Sequence, residues 1–134
     1  MPPWNSPRRW VDGTRVAALG ALLFLAAGLV GCAEPSTPLP PDVLGRWETA
    51  EARYADRFFE LQSEIVRFGT GGNASEVYSI SHVTAEPHPR GELYRVTYLV
   101  DGGEVLFAFH HDAVAGVIRL ENQPSFEWAK AGAP

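Results

Sequence analysis

The sequence predicts an all-β fold, a small antiparallel up-and-down barrel of about seven to eight strands. Short segments with apolar side chains at alternate positions recur along the chain from residue 44. Turn signals rich in glycine, asparagine or proline separate these segments. Short strands at this spacing are typical of sandwiches and closed barrels, and closure removes the exposed edges that endanger a small all-β domain.

Alternation assigns the individual strands. Tyr94, Val96 and Tyr98 share one face of a strand, and Phe107 and Phe109 share one face of the next. Asp101-Gly102-Gly103 has the composition of a hairpin turn between these two strands. The predicted strands are 45–48, 58–62, 64–68, 76–83, 92–100, 104–110, 116–121 and one around 126–128, with further turns at 69–73, 86–91 and 122–124.

One segment departs from this pattern. Tyr54, Phe58 and Leu61 have the i, i+4, i+7 spacing of a helix, whereas Phe58-Phe59-Glu60-Leu61 also suits a strand. We therefore expect one short helix near residues 50–56, followed by a strand.

The N-terminal segment has the layout of a secretory signal. Arg8, Arg9 and Arg15 form a positive region, and the 15 uncharged residues from Val16 to Val30 form an apolar stretch. This stretch is shorter than the roughly 20 residues of a membrane-spanning helix and suits a signal peptide. An uncleaved anchor helix is the alternative, and the Arg8-Arg9 pair also leaves a twin-arginine export signal open.

Leu29-Val30-Gly31-Cys32 closes the apolar stretch and contains the only cysteine of the chain. These residues resemble the lipobox of bacterial lipoproteins. The resemblance implies that 1–31 is a signal peptide, that lipidated Cys32 is the mature N-terminus, and that several acyl chains give stable membrane attachment. It also implies a place in the bacterial cell envelope, with Ala33 favouring the outer membrane, facing the periplasm, over the inner membrane.

The mature chain divides by composition. Residues 32–43 combine the lipidated cysteine with a tether of eleven residues that contains four prolines, a composition that favours an extended chain at about 3.1 Å per residue, or roughly 30 Å in all. An ordinary disordered terminus is the alternative. Residues 44–130 form the barrel domain, and 131–134 are expected to be a disordered tail.

Charge excludes one class of partner. Without residues 1–31 the chain has 103 residues, with 8 basic and 15 acidic side chains and a formal charge of −7. Nucleic-acid binding depends on clustered lysine and arginine, so the acidic domain argues against it. The same charge argues against flat adhesion to anionic lipid headgroups.

Gly45-Arg46-Trp47 at the start of the first strand resembles the opening Gly-x-Trp of lipocalin-type barrels. A longer series also resembles small bacterial lipoproteins of uncharacterised function with lipocalin-like barrels, in the order Trp47, Tyr54, Glu60-Leu61, Phe68-Gly69, Tyr78, Tyr98 and Trp128. The resemblance implies an eight-stranded barrel whose tryptophan plugs one end, and it implies no activity. Such a barrel is either filled by side chains or holds one small ligand.

His110-His111-Asp112 is the candidate metal site, because histidine and aspartate are good ligands for zinc or copper. Neighbouring residues on a strand point to opposite faces, so these three could share a metal only if the strand ends between them. Polar residues at a hairpin end are the alternative. The sequence indicates no cofactor, and its serines lack the Gly-x-Ser-x-Gly frame of a catalytic serine.

We therefore expect a non-enzymatic binding module, held on the membrane by its lipid anchor, whose partner is an envelope protein or component. The alternative is a lipocalin-like carrier of a small apolar ligand, which would need an apolar cavity. An enzyme that uses His110, His111 and Asp112 is the third hypothesis.

Overall fold

The computed structural model describes residues 34–132 and shows a closed barrel of eight antiparallel strands in sequential order. Each strand pairs with the next, and β8 returns to pair with β1. The strands are β1 Gly45–Glu48, β2 Arg57–Leu61, β3 Ile65–Gly71, β4 Ala74–Glu86, β5 Glu92–Val100, β6 Gly103–Asp112, β7 Val117–Leu120 and β8 Gln123–Lys130. The predicted all-β, up-and-down barrel is confirmed, and it is compatible with a lipocalin-like domain.

The up-and-down order gives the barrel two distinct ends. The connections at 49–56, 72–73, 101–102 and 121–122 lie at one end, called here the hairpin end. The connections at 62–64, 87–91 and 113–116 lie at the other end, called here the strap end. A side chain near the start of β4 or the end of β5 therefore belongs to the hairpin end, and one near the end of β6 belongs to the strap end.

The β5–β6 hairpin forms where the sequence predicts it. Asp101 and Gly102 have φ angles of 48° and 80°, as the two central residues of a type I′ turn require. The continuous pairing from Glu92 opposite His111 to Val100 opposite Gly103 makes this the longest unbroken hairpin of the barrel.

Two predicted turns are shorter in the structure. The segment 69–73 is mostly strand, because β3 continues to Gly71 and only Gly72 and Asn73 form the turn. The turn predicted at 122–124 lies at Glu121 and Asn122, and Pro124 is part of β8. A proline is tolerated there because β1 pairs with β8 only at its far end, so no β1 residue needs an N–H from this part of β8.

The short helix expected near 50–56 is a single 3-10 turn, Ala52–Tyr54, in the connection between β1 and β2. Its last residue, Tyr54, packs its ring against Phe126 and Trp128 of β8. Gln123 donates a side-chain hydrogen bond of 2.7 Å to the Tyr54 hydroxyl. The turn therefore covers the β8 side of the hairpin end.

The proline-rich segment is bonded to the barrel from Ser36 onward. Strand β3 pairs with β4 only as far as Ser79, which leaves the second half of β4 without a strand partner on that side. The Thr37 N–H donates to the Val83 carbonyl at 2.8 Å, and the Val83 N–H donates to the Ser36 hydroxyl at 3.0 Å. The N-terminal strap, residues 36–43, therefore satisfies backbone groups that an extended tether would leave open.

The strap also closes the strap end of the barrel. Leu39 and Val43 are buried in the same core cluster as Trp47. The Trp47 indole N–H donates to the Val43 carbonyl at 2.9 Å, which fixes the strap above the ring. The reach of about 30 Å expected for an eleven-residue extended spacer does not apply to these residues, because they pack on the barrel.

The predictions for the N-terminal signal, the lipidation site and the C-terminal tail have different outcomes. The signal peptide 1–31 and the lipidation site Cys32 lie outside the described residues and stay predictions. Ala131, assigned to the disordered tail, donates its N–H to the Arg46 carbonyl at 2.8 Å and so extends the contact between β8 and β1. No helix within 34–132 combines the length and the apolar character needed to span a bilayer.

Substitution of Val43 by alanine tests whether the strap belongs to the core. Val43 is 0% exposed, and the loss of two buried methyl groups should lower the free energy of unfolding by about 2 kcal/mol. Val114→Ala is the matched control, because this valine is 101% exposed and its loss should change stability by less than about 0.5 kcal/mol. Equal urea midpoints for the two variants would mean that the strap does not contribute to the core.

Candidate functional site

The three residues of the predicted metal site lie in one uninterrupted strand. Strand β6 continues through Asp112, with His111 opposite Glu92 and His110 opposite Leu93. The two histidines could share a metal ion only if the strand ended between them, and it does not. His110 and His111 point to opposite faces of the barrel wall.

His111 points into the barrel at the strap end. Its ring meets the Trp47 indole edge-on, with 5.9 Å between the ring centroids. Burial lowers the pKa of His111, and the nearby carboxylate of Asp42 acts in the opposite direction. His111 is therefore a core residue that packs on the tryptophan plug.

Asp112 holds the turn that follows β6. Its Oδ1 accepts the backbone N–H groups of Val114 and Ala115 at 3.1 and 3.0 Å, and its Oδ2 pairs with Arg119 at 3.3 Å. The bond from the Ala115 N–H is the main reason that the pKa of Asp112 lies below its usual value, and Arg119 adds to the effect. Its carboxylate oxygens are thus engaged in a turn and an ion pair.

His110 points outward, yet only 5% of it is exposed. The His88 ring, from the connection between β4 and β5, lies over it with 4.4 Å between centroids. Neither ring nitrogen of His110 has a hydrogen-bond partner. Burial lowers the pKa of His110, and the neighbouring His88 lowers it further.

The described part of the chain contains no group of three histidine, cysteine, aspartate or glutamate side chains that could hold a metal ion. His110, His111 and Asp112 instead have three separate roles, which are to lie beneath a loop, to pack on the plug and to hold a turn. Because side chains alternate between the two faces of a strand, the sequence already favoured opposite faces for His110 and His111. Only the residue at which β6 ends could not be read from the sequence.

Aromatic side chains fill the interior of the barrel. Phe59 lies among four other rings, with centroid distances of 5.2 Å to Phe107 and Trp128, 6.4 Å to Phe109 and 6.5 Å to Trp47. The contacts continue to the hairpin end through three further rings, those of Phe68, Tyr78 and Tyr98. Side chains thus occupy the space where a lipocalin-type barrel would hold a ligand.

An open groove of about 490 Å³ lies on the outer surface near the strap end. Arg119, one of the residues that line it, is paired with both Asp112 and Glu127. Its guanidinium is therefore already neutralised by two carboxylates and is poorly suited to hold an anionic ligand. The groove is lined by Pro89, Arg90, Gly91, Asp112, Arg119, Pro124 and Ser125.

Most of the exposed large apolar side chains among the described residues lie near the hairpin end, although sequence analysis did not single them out, and Val114 at the strap end is the exception. Leu106 is 57% exposed on the outer face of β6, and Leu99 lies on the outer face of β5. Thr97 pairs with Leu106 and Glu104 pairs with Leu99, so the two leucines are diagonal neighbours across the hairpin. We call the apolar patch the set of exposed, outward-facing residues Val77, Leu99 and Leu106.

The rim of this patch is acidic along β5 and β6, whereas Arg67, opposite Val77 on β3, is paired with Glu60. Glu104 lies opposite Leu99, and Asp101 follows in the hairpin turn. Glu121 and Leu106 line the same shallow depression of about 150 Å³. The sequence contained a signal for the patch, because alternation places Leu99 and Leu106 on the face opposite the aromatic residues. The degree of exposure could not be read from it.

Comparison of this chain with protein-family models, with curated proteins and with solved structures finds no match. The candidate sites therefore rest on geometry and chemistry alone.

Phe59→Ala should show that the interior is a packed core. Removal of this ring from the centre of the aromatic cluster should lower the free energy of unfolding by about 3–5 kcal/mol. Phe126→Ala is the control, because Phe126 is only half-buried and its loss should cost clearly less. Equal and small losses in both variants, measured by urea unfolding, would indicate a loosely filled barrel.

Zinc and copper should not stabilise the protein through the His110-His111-Asp112 segment. The two histidines point to opposite faces, so about a hundredfold excess of either ion should leave the melting temperature unchanged. A saturable rise in melting temperature that disappears in both His110→Ala and His111→Ala would contradict this geometry.

Proposed function

We propose that this protein is an exported lipoprotein whose β-barrel acts as a non-enzymatic binding module for an envelope protein. The observation that carries the proposal is the contrast between a filled interior and an exposed apolar patch on the outer face. A barrel that has no room inside can still recognise a partner with its outer surface. The predicted lipid anchor at Cys32 would keep that surface at a membrane of the cell envelope, with the outer membrane favoured.

The composition of the patch supports a protein partner. Aliphatic side chains at diagonal positions on neighbouring strands offer a contiguous apolar surface, and such surfaces form the desolvated centres of interfaces. The acidic rim favours a partner whose own apolar centre has basic residues around it. The formal charge of −7 on the mature chain adds long-range attraction to such a partner.

The carrier alternative has less support. A small-ligand site is ordinarily an apolar cavity of about 300 Å³ or more. The aromatic cluster around Phe59 occupies the region where a lipocalin-like barrel would have that cavity. The depressions near the apolar patch and at Arg119 are open to solvent and partly polar.

Site-specific photo-crosslinking in the native cells tests the partner-binding proposal. A photoreactive phenylalanine analogue in place of Leu99 should give one dominant crosslinked envelope protein. The same analogue in place of Val114, at the strap end, should not give that product. Leu106→Glu should reduce the Leu99 product roughly tenfold, which corresponds to about 1.4 kcal/mol of binding.

Two controls separate the surface from the anchor. Val114→Glu adds the same charge at a fully exposed valine away from the patch and should leave the Leu99 product unchanged. Cys32→Ala should release the protein from the membrane fraction, which tests lipidation independently of partner binding. Identical products from both labelled positions, or insensitivity to Leu106→Glu, would overturn the proposed binding surface.

A further inference from the structure

The connection between β4 and β5 folds back onto the outer face of the barrel. We call residues 87–91, with the sequence Pro-His-Pro-Arg-Gly, the latch loop. Its His88 ring lies 4.4 Å, between centroids, from the ring of His110 on β6. Its last residue, Gly91, has a φ of 104° and lies so close to the His111 carbonyl that no side chain would fit there. The loop thus has a defined position against β6.

The latch loop accounts for two buried side chains that point away from the core. Leu93 and His110 are cross-strand partners on the outer face, opposite the inward-facing Tyr94 and Phe109. They are nevertheless only 3% and 5% exposed. Leu93 is also absent from the core cluster. The loop that returns to His110 covers that ring, and we attribute the burial of Leu93, its cross-strand partner, to the same loop.

The closed loop requires His88 to be neutral. The Arg90 backbone N–H donates to His88 Nδ1 at 3.1 Å, and the Gly91 N–H donates to the His88 carbonyl at 3.0 Å. A protonated imidazole carries hydrogen on both ring nitrogens and cannot accept the Arg90 bond. Protonation of His88 therefore removes one of the two bonds that hold the turn.

The closed loop also requires His110 to be neutral. Both of its ring nitrogens are buried without a partner, and a charge there would lose its hydration without compensation. The charged groups around it do not supply a counter-charge on balance, since only Glu121 favours the charged form. The groups that oppose it are His88 and Arg90 of the latch loop and Arg95 of β5, while Arg119 of β7, paired opposite His110, is engaged by Asp112 and Glu127.

We infer that residues 87–91 are an acid-opened latch, which covers Leu93 while the buried His110 is neutral and lifts when His110 binds a proton. Opening hydrates both imidazoles and uncovers the apolar side chain of Leu93 on the outer face of β5. This is the same face that carries Leu99 of the apolar patch. Acid would therefore enlarge the apolar surface of the barrel. The inference depends only on described residues and does not require the partner-binding proposal.

The sign of the pH dependence follows from the lowered pKa of His110. Above pH 6.5 this residue is neutral in both the closed and the open loop. Its protonation therefore does not shift the equilibrium between the two loop states in this pH range. As the pH falls below 6.5 towards the lower pKa of the closed state, the open state binds more protons. The closed loop is therefore stable at neutral pH and loses stability with acid.

Hydrogen exchange of the full chain in detergent micelles, between pH 7.5 and 5, tests the latch. After correction for the intrinsic pH dependence of exchange, the amides of Arg90 and Gly91 should lose protection in acid. The protection factors of these two amides should fall roughly tenfold for each unit by which the closed loop lowers the pKa of His110. The amides at the centre of β5 should keep their protection. Unchanged protection of the loop over this range would overturn the inference.

Two variants assign the effect to the histidines. In the double variant His88→Asn and His110→Leu, the asparagine oxygen can still accept the Arg90 N–H and neither residue titrates, so the loop should stay protected at pH 5. His82→Asn is the control and should leave the pH dependence intact. A pH dependence that survives in the double variant, or is lost in the control, would contradict the latch.

Histidine titration by NMR on the wild-type chain gives a measurement that needs no variant. The pKa of His110 should lie below 6.5, and its titration should coincide with the loss of protection in the latch loop. A titration of His110 that leaves the loop protection unaffected would equally overturn the inference.

Discussion

The rest of this structure depends on the filling of the barrel interior by aromatic rings. An eight-stranded barrel is just wide enough for inward side chains to meet at its centre, and here Phe59 meets rings from β1, β6 and β8. Because the interior is occupied, we propose that recognition uses the outer surface. Both the apolar patch and the latch loop lie on that outer surface, on or over β4, β5 and β6.

The unequal lengths of β3 and β4 explain the role of the strap. Strand β4 has 13 residues and β3 has 7, so the second half of β4 would have unpaired backbone groups on one side. The strap bonds to Val83 there and then buries Leu39 and Val43 over Trp47. A segment whose composition suggests a free spacer thus completes the barrel wall and closes one end.

Alternation of side chains made most of the fold predictable. The pattern of Tyr94, Val96 and Tyr98 gave the inward face of β5, and Asp101-Gly102 gave the turn. The same rule argued against a shared metal site at His110 and His111, which the structure separates. It could not show that His110 is covered, because the covering ring of His88 comes from a distant loop whose path depends on tertiary contacts.

The sequence by itself determined the strand pattern, the antiparallel order and the sign of the surface charge, because these follow from side-chain periodicity, turn chemistry and composition. Tertiary structure decided which exposed positions gather into a patch, where the proline-rich strap goes, and which histidines lie together. The reason is that these features depend on strand register and on the closure of the barrel. Both bring together residues that are far apart in the chain, and no local pattern records those distances.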